Sequence, residues 1–142
     1  MMTPLERFTD IYLKLDRDHM DLLDQIYSDD IVFIDPAHQL NGLINVKKYF
    51  SKLYQNVSHI DFSFESTIVE DQQVTIAWVM EFSHPRLANS QTISINGCSW
   101  LHFDAQGKAV YHRDYFDLGA MLYEQLPVLG CIVRGVKRRL GA

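Results

Sequence analysis

No apolar run in this sequence approaches the roughly 18 residues that spanning a hydrocarbon core requires. The opening stretch MMTPLERFTD has neither the basic start nor the apolar centre of a secretory signal, so the expected compartment is the cytoplasm. Cysteine is scarce: Cys98 and Cys131 are the only two, they fall in different predicted elements, and two thiols rather than a disulfide are expected. The six histidines show no HExxH or paired spacing, and in DPAH a proline keeps Asp35 and His38 off a shared helix face, so no metal site is expected. No GxSxG, phosphate-cradling glycine loop or cysteine–histidine signature is present, which leaves nucleophilic catalysis without support and no cofactor expected. Acidic residues are also missing from one region, since all 18 lie before position 134.

That last absence divides the charge. Residues 1–133 carry nine basic groups against the 18 acidic ones, while Arg134, Lys137, Arg138 and Arg139 crowd the tail, for a net charge of −5 overall. So acidic a body repels a phosphate backbone, and nucleic acid is not an expected partner. The 142 residues, 47% of them hydrophobic, suffice for one domain with one sizeable core. No internal repeat or low-complexity linker interrupts the chain. The reading is a single domain over 1–119 with a helical extension, 120–142, that belongs to it.

The element pattern changes period midway. Thr3, Pro4 and Glu6 combine a capping hydroxyl, a proline at the first helical position and a returning carboxylate, predicting a helix from about Pro4 to Asp16. A second helix is expected after Asp18, and IVFID, stopped by Pro36, reads as a short strand. GLINVKKYFSKLY returns to helical spacing with Leu43, Val46, Tyr49, Phe50 and Leu53. Alternation of period two then sets in at Ile60, Phe62 and Phe64, continues through Val74 to Phe82, and resumes over about Gln91 to Phe103, where Asn96-Gly97 suggests a bulge or tight turn. In KAVYHRDYFDLG the alternation places Val110, His112, Asp114 and Phe116 on one face and Tyr111, Arg113 and Tyr115 on the other. Neither face is plainly polar, so one carries charge toward an interior or an interface. Beyond Asp117, helical spacing returns, and Pro127 is expected to divide it into two short pieces. The resulting fold class is α+β, with three N-terminal helices against one face of a curved antiparallel sheet.

This order, with YSDDIVFIDPAHQLNG early and GKAVYHRDYFDLG late, resembles the nuclear transport factor 2-like superfamily in its SnoaL-like (polyketide cyclase) branch, over roughly residues 4–119. The resemblance implies a cone-shaped sheet wrapped over three helices, an internal cavity and frequent dimers. Steroid Δ-isomerases of that superfamily carry their catalytic base in an EDP segment, which IDP here matches with Asp35. Their first-helix tyrosine donor is resembled by Tyr12, one residue different in spacing. Their second donor, counted back from the Phe103 turn, falls on Ser99. Limonene-type epoxide hydrolases end in a similar GK…WRDYFDL segment, whose catalytic aspartate matches Asp114; where their arginine and second aspartate stand, this chain has Trp78 and Met80.

The chemistry implied is proton transfer. Desolvation in an apolar cavity disfavours a carboxylate's charged form, which suits a general acid or base. Asp35 and Asp114 are the candidate pair, His112 the group that orients or neutralises Asp114, and Tyr12 and Ser99 hydrogen-bond partners for a ligand. Phe33, Trp78, Met80, Phe103 and Phe116 complete an expected pocket for a small hydrophobic molecule. Plainer readings stand beside each. Asp35 can end a strand by accepting backbone hydrogen bonds, Asp114 and His112 can form a satisfied buried cluster, and Tyr12 can be a packing residue. Two function classes therefore stay open. One is an isomerase, cyclase or hydrolase. The other is a non-catalytic module that dimerises through Tyr111, Arg113 and Tyr115, or meets membrane peripherally through Leu126, Leu129, Ile132, Val133, Val136 and the basic tail.

Overall fold

A computed structural model of the chain describes residues 1–122 and 127–141. Helix α1 spans Pro4–Lys14, and its start closes as the sequence implies: the Glu6 amide donates to the Thr3 hydroxyl at 3.1 Å and the Thr3 amide to the Glu6 carboxylate at 2.9 Å. The second piece is not an α-helix but a 3-10 helix over Met20–Gln25, and His19, which precedes it, provides no side-chain cap. It is cut short because strand β1 begins at Tyr27, four residues ahead of the expected IVFID, and runs to Ile34. A short β2, Gln39–Asn41, folds back on β1 before helix α2, Leu43–Asn56.

Strands β3 (His59–Glu70), β4 (Gln73–Ser83), β5 (Ile93–Phe103) and β6 (Ala109–Phe116) follow as an antiparallel meander. The sheet order is β2-β1-β6-β5-β4-β3. Its one parallel contact sets β1 beside β6, pairing Tyr27 with Ala109 and Phe33 with His112. This is the α+β fold expected from the element order, in the cone form that the resemblance implies: a curved sheet that does not close, with α1 and α2 against its inner face. The apolar stripe of α1 supplies Phe8, 1% exposed, which stacks on Tyr12 and meets Tyr27, Phe103 and His112 edge-on. A phenylalanine so placed is worth about 3–5 kcal/mol against alanine.

Two strand details depart from simple alternation. The β5–β6 register shifts between His102 and Phe103, so Ala109 rather than Val110 takes the inward place opposite Phe103. Asn96-Gly97 makes neither bulge nor turn, because β4 and β5 pair without interruption and Gly97 lies opposite Trp78. The glycine is required by close approach: a Cβ there would stand 2.2 Å from the Trp78 ring. Beyond β6, the Asp117 carboxylate accepts from the Ala120 amide to start the four-residue α3, Leu118–Met121. Helix α4 spans Pro127–Leu140, so α3 and α4 are two helical pieces as expected after Asp117, with Pro127 the first residue of the second. Leu126 lies outside the described residues. Among the described residues no helix is long and apolar enough to cross a membrane.

Gly97→Ala is expected to lower stability by about 1–3 kcal/mol through overpacking. In a Trp78→Phe background, where the smaller ring leaves room, the same change should cost less. Urea midpoints of the four proteins check this, and equal costs in both backgrounds would place the constraint elsewhere.

Candidate functional site

The inner face of the sheet and the two helices enclose a cavity of about 410 Å³. Its walls are mostly apolar, built from α2, β3 and β4, with Phe50, Phe62, Trp78, Met80 and Phe82 among them. The polar groups gather at its floor, where β1, β5 and β6 run side by side.

Along that floor runs a continuous row of hydrogen bonds. Tyr12 and Tyr27 share one between their hydroxyls at 2.5 Å, the Tyr27 hydroxyl lies 2.6 Å from His112 Nδ1, and His112 Nε2 lies 2.6 Å from Asp114 Oδ1. From the other side the Ser99 hydroxyl donates to the same Asp114 oxygen at 2.5 Å, and itself accepts the Trp78 indole N–H at 2.8 Å. The strands dictate the meeting: Ser99 is directly opposite Asp114 in the β5–β6 ladder, and His112 precedes Asp114 by two on one face. Tyr27 and His112 are 0% and 1% exposed, so each buried polar atom needs its partner.

A carboxylate can only accept, so His112 Nε2 carries the proton directed at Asp114. A neutral imidazole then satisfies the whole row in one direction, with Tyr12 donating to Tyr27, Tyr27 to Nδ1 and Nε2–H to Asp114. Burial pushes both phenols well above the ordinary tyrosine range; the Asp114 charge adds to the rise, as does Tyr27 beside Tyr12, although the hydrogen bond from Tyr12 partly offsets it at Tyr27. Both therefore stay donors. Asp114 Oδ1 takes two donors while Oδ2 takes none from the described residues, on a side chain 18% exposed. One oxygen orients the group, and the other is open to a ligand.

The second carboxylate has a different environment. Asp35 Oδ1 accepts the amides of Ala37 and His38 at 2.8 and 2.7 Å, and Oδ2 accepts the Tyr49 hydroxyl at 2.7 Å. These backbone bonds are those of a residue that ends a strand before proline. Burial, with the bond to Asp35 behind it, raises the Tyr49 phenol far above its usual range. Asp35 and Asp114 do line one cavity, but both oxygens of Asp35 already accept a donor, whereas one oxygen of Asp114 takes none from the described residues.

Of the other expected residues, Phe33, Trp78, Met80, Ser99 and Phe116 line the cavity, as do Tyr12 and His112. Phe103 does not. It points into the core beside α1, edge-on to Phe8 at 6.3 Å between ring centres. Ser99, expected as a donor to a ligand, already spends its proton on Asp114. Tyr27 and Tyr49 carry no site signal in the sequence: Tyr27 falls between the helix expected after Asp18 and the expected strand IVFID, and Tyr49 is one more position of the apolar stripe of α2. Only the parallel β1–β6 pairing, which periodicity does not encode, gives Tyr27 its place. On the outer face, the Arg113 guanidinium lies 5.0 Å from the centre of the Tyr115 ring. No group of three His, Cys, Asp or Glu able to hold a metal ion occurs among the described residues.

The direction of the row can be read by nitrogen NMR of the imidazoles. His112 is expected to show a protonated Nε2 and an unprotonated Nδ1; a protonated Nδ1 would contradict the direction. Tyr27→Phe strips Nδ1 of its donor and should cost about 1–3 kcal/mol in stability, measured by denaturant unfolding.

The same architecture recurs in solved structures. A nuclear transport factor 2-like protein of unknown function from Exiguobacterium sp. 255-15 superposes with a TM-score of 0.68 at 19% identity, over 82% of this chain and 99% of that one. A protein with a ketosteroid isomerase-like fold from Catenulispora acidiphila DSM 44928, in complex with trimethylamine, gives 0.74 at 15% identity, over 89% and 96%. A candidate SnoaL-like polyketide cyclase from Jannaschia sp. CCS1 gives 0.67 at 13%, over 82% and 89%. At these identities the likeness is one of fold. No curated protein is significantly similar to the chain in sequence. The model of the SnoaL-like domain family, however, matches residues 5–112, from the first turn of α1 to the histidine of the cavity floor, and the chain belongs to that family.

Proposed function

We propose that the protein binds a small, largely apolar molecule in its cavity and moves a proton on it with Asp114. The observation that carries this reading is the asymmetry of that carboxylate: His112 and Ser99 fix Oδ1, and Oδ2 has no donor among the described residues and stands beside apolar walls. Orientation by two fixed donors is what a general base needs if its second oxygen is to meet a carbon-bound proton at one angle. In the simplest form, Oδ2 takes a proton from the carbon next to a ligand carbonyl. The C–H electron pair moves into the enolate, and the same carboxylic acid returns the proton to another carbon. The balance closes without a co-reactant, which suits an isomerase or cyclase; a hydrolase would use the same oxygen to deprotonate water. Of the two carboxylates, Asp114 is the working one, and Asp35 acts by holding Tyr49 against the cavity.

The test is proton exchange. A panel of cyclic ketones incubated in D2O and followed by proton NMR should show deuterium entering beside the carbonyl, with Asp114→Asn slower by about 100-fold or more. Exchange at the wild-type rate in Asp114→Asn would sink the reading.

Helix α4 favours a second, compatible reading. Leu129, Ile132, Val136 and Leu140 form one stripe along it, exposed at 40%, 57%, 54% and 82%, beside Arg134, Lys137, Arg138 and Arg139. Lys137 also pairs with Asp117, which holds that carboxyl below its usual range and ties α4 to α3. We infer a peripheral contact with an anionic bilayer through this stripe, and pairing of two copies through the outer sheet face at Tyr111, Arg113 and Tyr115. Co-sedimentation with phosphatidylserine vesicles should be lost in Ile132→Asp, and light scattering should give a dimer; an unchanged pellet or a monomer would remove the respective part.

A further inference from the structure

The cavity has a second polar feature, remote from Asp114. Arg86 is the only lysine or arginine among its described lining residues, and it is exposed, so it stands at the mouth. His84 lines the same stretch, just beyond the end of β4. His84 Nδ1 accepts the Arg86 amide at 3.1 Å, which leaves Nε2–H as the ring's donor. Neither the guanidinium nor Nε2 has a partner among the described residues. The chain turns sharply here: the Leu87 amide donates to the His84 carbonyl at 3.1 Å, and Ala88, Asn89 and Ser90 follow with φ of 49°, 54° and 64°. Three successive non-glycine residues in the left-handed region are a strained backbone, of the kind that persists where surrounding structure holds it. Buried Leu87 anchors the turn in the cavity wall.

Between this mouth and the floor, the inward row of β4 is Trp78, Met80 and Phe82, all buried and apolar. Six residues from Trp78 to His84, at ~3.3 Å each, make a path on the order of 20 Å along the strand, which the reach of the arginine side chain shortens. The site therefore has an acceptor carboxylate at one end, an apolar middle and a paired set of N–H donors at the other. We infer that the ligand is an elongated amphiphile carrying a carboxylate, its anionic end bound by Arg86 and His84 at the mouth and its apolar body extending toward Asp114. An arginine offers two parallel N–H groups to a carboxylate, and a terminal group of that kind is the one the mouth can hold that the floor, with its own carboxylate, repels.

The inference rests on the cavity being a ligand site, and the experiment separates the two. Dodecanoic acid and dodecan-1-ol share a chain and differ in the end group. By titration calorimetry the acid is expected to bind at least tenfold more tightly than the alcohol, and Arg86→Gln should erase that preference while leaving the alcohol unchanged. Arg7→Gln, a charge change away from the cavity, should preserve it. Equal affinity of acid and alcohol, or a preference that survives Arg86→Gln, overturns the anion subsite and leaves the cavity standing. Failure of both compounds to bind counts against the cavity itself. Neither outcome depends on proton transfer at Asp114.

Discussion

The parallel ladder between β1 and β6 is the contact on which the candidate site depends. It joins the first strand of the chain to the last, across 85 residues between Tyr27 and His112, and it sets a phenol beside an imidazole that local sequence would never bring together. The antiparallel meander alone would place Ser99 opposite Asp114 and His112 beside it, but would leave Nδ1 facing apolar surroundings. A buried imidazole nitrogen without a partner is costly, and its ring would be free to turn. With β1 in place the ring is fixed at both nitrogens, and Phe8 and Phe33 close over it edge-on. The fold's closing contact and the floor's polar row are thus a single arrangement.

Much of this was legible in the sequence. The capping box at Thr3 and Glu6, the helical stripe at Leu43 to Leu53 and the alternation through β3, β4 and β6 all encode short-range geometry, and each produced the expected element. Asp114, His112, Ser99 and Trp78 could be gathered from strand alternation and motif likeness, because they sit on adjacent strands of one hairpin series. What failed to show required distance or shape. Tyr27 depends on a pairing between chain segments far apart. Gly97 reads as a turn signal, yet its reason is an indole on the neighbouring strand. Phe103 alternates in phase with the cavity residues, but the register shift beside it and the packing of α1 turn it into the core. Asp35 matched a motif in sequence, while its partners are those of a strand terminus.

The two carboxylates illustrate how environment separates groups of identical chemistry. Both are largely buried and both touch the cavity. Asp35 answers to the local backbone, with two amides at one oxygen and a phenol at the other. Among the described residues, Asp114 is held by side chains from β5 and β6 at one oxygen only. A motif match reports residue type and position, and the difference between these two aspartates lies in the number of donors around each, which is a property of the folded surroundings.

The division between floor and walls has an engineering consequence. The floor is assembled from β1, β5 and β6 with one tyrosine of α1, whereas the walls come from α2, β3 and β4. Among the described wall residues, Trp78 is the one hydrogen-bonded to the row that holds Asp114, through its indole N–H to Ser99, while Tyr49 bonds separately to Asp35. Wall positions such as Met80 and Phe82 can be exchanged for larger or smaller apolar residues without altering a hydrogen bond of the polar row, whereas Phe62 lies edge-on to Tyr12 at 5.6 Å between ring centres and is tied to it. The scaffold can therefore change the shape of what it accepts in small steps while the groups beneath stay constant, so ligand preference is free to drift faster than chemistry.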